Sequence, residues 1–154
     1  MAGALARPDG TWVGERHATE THLVPNALRA AAGSGARMQL FGTDYPTPDG
    51  TCVRDYVHVV DLAAAHLAAL TAAEAGTAHV VNLGSGSGYS VRQVLDTVAD
   101  VTGRDVPVDE AARRAGDPAV LVAANGWAKQ LLGWEPARDL RAMVADAWKF
   151  LKSE

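Results

Sequence analysis

Leu40-Phe41-Gly42-Thr43-Asp44-Tyr45-Pro46-Thr47-Pro48-Asp49-Gly50-Thr51-Cys52-Val53-Arg54-Asp55-Tyr56-Val57-His58-Val59 is the run of the 154-residue chain on which the reading of its fold turns. Met38 to Phe41 reads as a short strand. Asp44 to Gly50, with two prolines and a glycine, reads as a loop, because both residue types punctuate regular structure. Val53 to Val59 alternates and carries β-branched residues, the pattern of a strand. Asp61 then predicts the cap of an apolar helix from Leu62 to about Ala75. Leu62, Ala65, His66, Ala69 and Leu70 fall at helical spacing along it.

The same alternation continues outward in both directions. Upstream, a helix is expected to start near Pro25, with Leu28 inward, and to end at Gly33-Ser34-Gly35. Residues 1–20 show little periodicity and read as a loop around a Pro8-Asp9-Gly10 turn, with nothing to pack on. Downstream, His79 to Leu83 predicts a strand. Ser90 predicts the cap of a helix from Val91 to Val101, whose Val91, Val94, Leu95, Val98 and Val101 form one stripe. Val106 to Val108 is a short strand and Arg113 to Pro118 a loop. Asn125 and Asp139 cap two further helices, ending near Leu132 and Leu151. Strands alternating with helices imply a mixed α/β or α+β domain. The strands are few and short, as in a piece of a larger fold.

Composition narrows the classes of function. The length suits one domain. A net charge of −4, with no block of like charges, disfavours a nucleic-acid surface. No apolar run reaches membrane-spanning length, and the start lacks the pattern of a signal peptide. Cys52 is the one cysteine, which excludes an internal disulfide and suits a reducing cytoplasm.

Few residues point to chemistry by themselves. Asn82-Leu83-Gly84-Ser85-Gly86-Ser87-Gly88 lies between a strand and a helix, as a dinucleotide fingerprint does. Tyr89 stands where its third glycine is required, so a turn into a capped helix is the better reading. Arg54, Arg113 and Arg114 could clamp a diphosphate, since a guanidinium fork matches phosphate oxygens. Asp117 could accept from ribose hydroxyls, or the same residues could form surface ion pairs of small value. Glu15, His17, Glu20 and His22 cluster near the start, but His17 and His22 are five apart across a loop. No metal site is expected there. His66 is expected to be packed, and His58 and His79 have no evident partner.

The long run, taken with Ala2-Gly3-Ala4, Pro8-Asp9-Gly10, Thr19-Glu20-Thr21-His22-Leu23-Val24-Pro25, Asn82-Leu83-Gly84, Arg113-Arg114-Ala115-Gly116-Asp117-Pro118 and Leu132-Gly133-Trp134, resembles the UDP-glucose 4-epimerases of the extended short-chain dehydrogenase/reductase superfamily. The resemblance covers almost the whole chain. It implies that residues 1–154 are the carboxyl-terminal, UDP-sugar-binding domain, with the NAD-binding Rossmann half largely missing. In the family that half supplies the Tyr-x-x-x-Lys pair, and the reaction passes a hydride to NAD and back. Tyr45, Tyr56 and Tyr89 are followed four residues on by Asp49, Val60 and Gln93. Neither catalytic residues nor NAD binding are therefore expected of this chain alone.

By resemblance, His22 and Leu23 lie at the diphosphate, Gln39 and Phe41 at the uracil edge, and Arg54 and Arg114 on the diphosphate. Asp117 is the ribose acceptor, and Leu121 gates the sugar pocket. Ala124-Asn125 departs from the family's Asp followed by Ser or Ala. The implied partners are UDP-glucose and UDP-galactose, the Rossmann half, and often a second subunit, all in the cytoplasm. The alternatives are a free-standing UDP-sugar-binding module, or a fragment of another nucleotide-sugar enzyme of the superfamily.

Overall fold

The computed structural model describes residues 1–153. In chain order the elements are β1 (Ala4–Ala6), β2 (Trp12–Gly14), α1 (Leu23–Ala32), β3 (Met38–Phe41), β4 (Val53–Arg54), α2 (Val59–Ala72), β5 (Tyr89–Ser90), α3 (Val91–Thr102), β6 (Val108–Ala111), β7 (Val120–Leu121), α4 (Gly126–Leu132) and α5 (Leu140–Lys152). The mixed α/β class read from the sequence is the class observed.

The main core lies where α1, α3 and α5 meet. Val24, Ala27 and Leu28 pack there against Val94, Leu95, Val98, Leu140, Met143 and Val144. These positions recur every three or four residues, so each helix turns one stripe inward. Pro25 sits in the first turn of α1, where its missing N–H costs nothing. Gly33 closes that helix at a φ of 77°. Ser90 caps α3 in a reciprocal pair with Gln93, which satisfies two end donors at once.

Three small sheets frame this core. β3 and β6 pair in parallel, Met38 opposite Val108. β4 lies between antiparallel β5 and parallel β7. β1 and β2 form an antiparallel hairpin.

That hairpin corrects the reading of residues 1–20 as an unsupported loop. Its Pro8-Asp9-Gly10 turn is real: Asp9 Oδ1 accepts from the Thr11 N–H at 2.9 Å and the Thr11 hydroxyl at 2.7 Å. Its strands pack on α5, closely enough that a Cβ on Gly14 would meet the Phe150 ring at 2.3 Å. The two three-residue strands are too short to show a period in sequence.

The stretch 53–59 forms ladder only at Val53 and Arg54. Beyond it Asp55 turns its carboxylate to two loop amides, and the Val57 carbonyl accepts from the Ala2 N–H at 3.0 Å as part of an isolated parallel bridge between Ala2 and His58. His58, not Asp61, caps α2: its Nδ1 accepts from the Val60 N–H at 3.1 Å. Asp61 lies in the first turn instead, buried, and binds the Ala137 and Arg138 amides at 3.0 and 2.9 Å together with the Arg138 guanidinium. The expected strand 79–83 has no ladder partner among the described residues, and Val80 is 92% exposed. The strand expected at 106–108 begins instead at Val108. β5 and β7, of two residues each, gave no sequence signal.

Candidate functional site

The alternation of the 52–56 stretch decides the site. Cys52, Arg54 and Tyr56 are spaced by two, so an extended backbone points them to one side. All three line one cleft. Gln39 and Phe41, also spaced by two, enter it from β3, and Leu23 from the first residue of α1. The loop between β6 and β7 adds Arg114 and Asp117.

Six of the eight residues expected at the site thus line one cleft: Leu23, Gln39, Phe41, Arg54, Arg114 and Asp117. His22 is exposed just outside it, at the N-cap of α1. Leu121 does not line it; it is exposed on β7, paired with Arg54.

The polar contacts are specific. Arg54 Nη2 donates to Asp117 Oδ1 at 2.8 Å, and Nη1 to the Val53 carbonyl at 2.7 Å. A guanidinium carries five N–H donors, so capacity remains for a ligand. The Arg114 guanidinium lies 3.9 Å from the centroid of the Phe41 ring, a cation–π contact that holds an exposed loop arginine over the cleft. Arg113 points elsewhere. Its Nε meets Asp44 Oδ1 at 2.7 Å, and its guanidinium lies 4.3 Å from the Tyr45 ring centroid. The hydrogen bond from Arg113 holds the Asp44 carboxyl below its ordinary range.

Two cleft residues have raised pKa values. Burial pushes the Tyr56 phenol up to about 12, and burial also raises the Cys52 thiol. Neither is poised as a base or nucleophile near neutrality. The cleft can bind and orient an anion. Tyr56, Asn26 and Arg37 also line it and escaped the sequence reading. Spacing by two from Arg54 could have found Tyr56.

The glycine run 84–88 is filled by its own chain. Asp55 Oδ1 accepts from the Ser85 N–H at 2.7 Å, and Oδ2 from the Ala123 N–H at 2.9 Å. A Cβ on Gly84 would meet Asp55 Oδ2 at 2.3 Å. An amide that a pyrophosphate would need is already bound to a carboxylate, so these residues do not fit a dinucleotide cradle. They form a turn into a capped helix.

Residues 7–84 match the model of the family described as the NAD dependent epimerase/dehydratase family. The chain is 53% identical over 139 residues to a UDP-glucose 4-epimerase of Corynebacterium glutamicum, covering 90% of this chain and 42% of that protein. A crystal structure of a UDP-glucose 4-epimerase superposes with a TM-score of 0.91 at 43% identity, over 99% of this chain and 46% of the other. The UDP-glucose 4-epimerase of Bifidobacterium longum, in complex with NAD+ and UDP, superposes at 0.90 and 34% identity, over 99% and 45%. The chain spans less than half the length of these relatives.

Proposed function

Because the chain belongs to the NAD dependent epimerase/dehydratase family, we propose that it is the UDP-sugar-binding domain of a UDP-glucose 4-epimerase, holding UDP-glucose or UDP-galactose by the nucleotide in a cytoplasmic enzyme. The observation that carries this reading is the convergence of Arg54, Arg114, Asp117, Gln39, Phe41 and Leu23 on one cleft.

Each side chain has a part in that reading. Arg54 and Arg114 come from separate segments and close on a diphosphate from two sides, Arg54 through its fork. Asp117, which fixes Arg54 in the free protein, accepts from the ribose hydroxyls once the diphosphate takes the arginine. Phe41 gives uracil an apolar wall, and Gln39 beside it gives the base edge a donor and an acceptor. His22 and Leu23 bring the start of α1 to the phosphates, where helix amides favour an anion. Hydride and proton transfer belong to a Rossmann half and its NAD, which the glycine run 84–88 of this chain does not fit. Its own work is to hold the nucleotide while the sugar stays free to turn.

Titration of UDP-glucose by calorimetry tests the clamp. Arg54→Lys keeps the charge but loses the fork, so affinity should fall about tenfold, as for one charge-assisted hydrogen bond. Arg114→Ala should fall at least as far. Equal affinities in the wild type and both variants would remove the assignment.

A further inference from the structure

The four residues Glu15, His17, Glu20 and His22 were set aside in the sequence because His17 and His22 are five apart across a loop. The fold overturns that objection. The two imidazole rings lie 5.1 Å apart between centroids. Glu15 Oε1 is 2.7 Å from His17 Nε2 and 3.7 Å from His22 Nδ1. One ligand atom from each of Glu15, His17 and His22 lies within 4.8 Å of the others. We propose that Glu15, His17 and His22 form a binding site for a divalent transition metal of the zinc class, at the entrance to α1 and beside the cleft.

Three observations carry the proposal. The first is the ligand set: two imidazoles and a carboxylate suit Zn2+, Co2+ or Ni2+ better than Mg2+ or Ca2+, which prefer all-oxygen shells. Tetrahedral zinc bonds of about 2.0–2.1 Å hold ligand atoms roughly 3.4 Å apart. Both rings are 45% exposed, so they have room to close to that spacing.

The second is Glu20. Its side chain is only 2% exposed, and its Oε1 contacts His22 Nδ1 at 2.7 Å. With Nδ1 held by Glu20, His22 offers Nε2 to the metal, and the carboxylate behind the ring fixes it and raises its basicity. Glu20 Oε2 is buried with no hydrogen-bond partner. Such a group calls for an explanation, and a nearby dication gives one.

The third is charge. Glu15 and Glu20 bring two negative charges to two imidazoles, and a dication balances them.

Calorimetric titration of the full chain with Zn2+ alone tests this, with the visible absorption of Co2+ as a second readout. One equivalent is expected. His17→Ala and His22→Ala should each lose about tenfold or more in affinity, and Glu20→Gln about 10–100-fold, as an outer-shell partner does. His79→Ala, an exposed histidine elsewhere, should bind as the wild type does. Circular dichroism reports the fold of each variant. If His22→Ala unfolds, His17→Gln, at an exposed position outside the regular elements, takes its place. No stoichiometric Zn2+ binding would overturn the proposal, as would equal affinity in His17→Ala, His17→Gln and the wild type.

Discussion

His58 has no exposed surface. Its Nδ1 caps α2, and its Nε2 lies 3.4 Å from Asp146 Oδ2. Gly3 is what admits the ring: a Cβ there would stand 2.5 Å from Nε2. Burial, aided by the Arg138 charge, lowers the pKa of His58, against the opposing pull of Asp146 and Asp61. The sign follows. Above the ordinary value near 6.5, both folded and unfolded forms are neutral and stability is at its full level. As pH falls through the depressed folded value, the unfolded chain binds the proton first and stability is lost. The slope for one proton is about 1.4 kcal/mol per pH unit. Urea unfolding at a series of pH values should show this decline. His58→Asn keeps a capping oxygen and should flatten the decline, though it lowers stability overall by leaving space. Parallel profiles for the two proteins would show that His58 is not the sensor.

At the scale of elements, Asp61 joins three of them. Its carboxylate in α2 takes the Ala137 and Arg138 amides ahead of α5, while its carbonyl accepts from Trp134 Nε1 at 2.8 Å, just past α4. A single buried carboxylate thus seats the end of α4 and the start of α5 against α2. Asp61→Ala would strand two amides, each costing roughly 1–3 kcal/mol when buried without a partner. A loss of about 3 kcal/mol in urea unfolding is expected, with Asp61→Asn milder because an amide oxygen can still accept. A loss below about 1 kcal/mol would mean that water replaces the carboxylate without penalty.

For the whole molecule, the uneven covering of α2 stands out. It is among the most apolar stretches of the chain, yet only Asp61 and Ala65 are buried in it. Leu67 is 67% exposed and Leu70 76%, with Val80 exposed on the 79–83 stretch. A helix apolar on all sides is normally buried, and patches of this kind mark surfaces that others cover. In the proposed enzyme the cover is the Rossmann half. The chain alone is therefore expected to self-associate and to bind a hydrophobic dye. Leu67→Lys with Leu70→Glu should reduce both, as read by sedimentation and dye fluorescence. A monomeric wild type that binds no dye would contradict the expectation.

Much of the outcome was legible in the sequence because it rests on local rules. Helix stripes such as Val94-Leu95-Val98, the Ser90 cap and the Gly33 stop depend on spacing within a few residues. The motif run from Leu40 to Val59 carried the family. The tertiary structure decided what depends on distant partners. A two-residue strand such as β7 exists only because Val53 and Arg54 lie beside it, and residues 79–83, strand-like in sequence, find no ladder among the described residues. Which capping group α2 uses was settled by the Ala137 and Arg138 amides drawing Asp61 away. Likewise Glu15, His17 and His22 converge only once α1 and the β1–β2 hairpin are placed. Sequence spacing specifies periodicity and local hydrogen bonds, but ligand distances across a loop are set by the packing that folds the loop back.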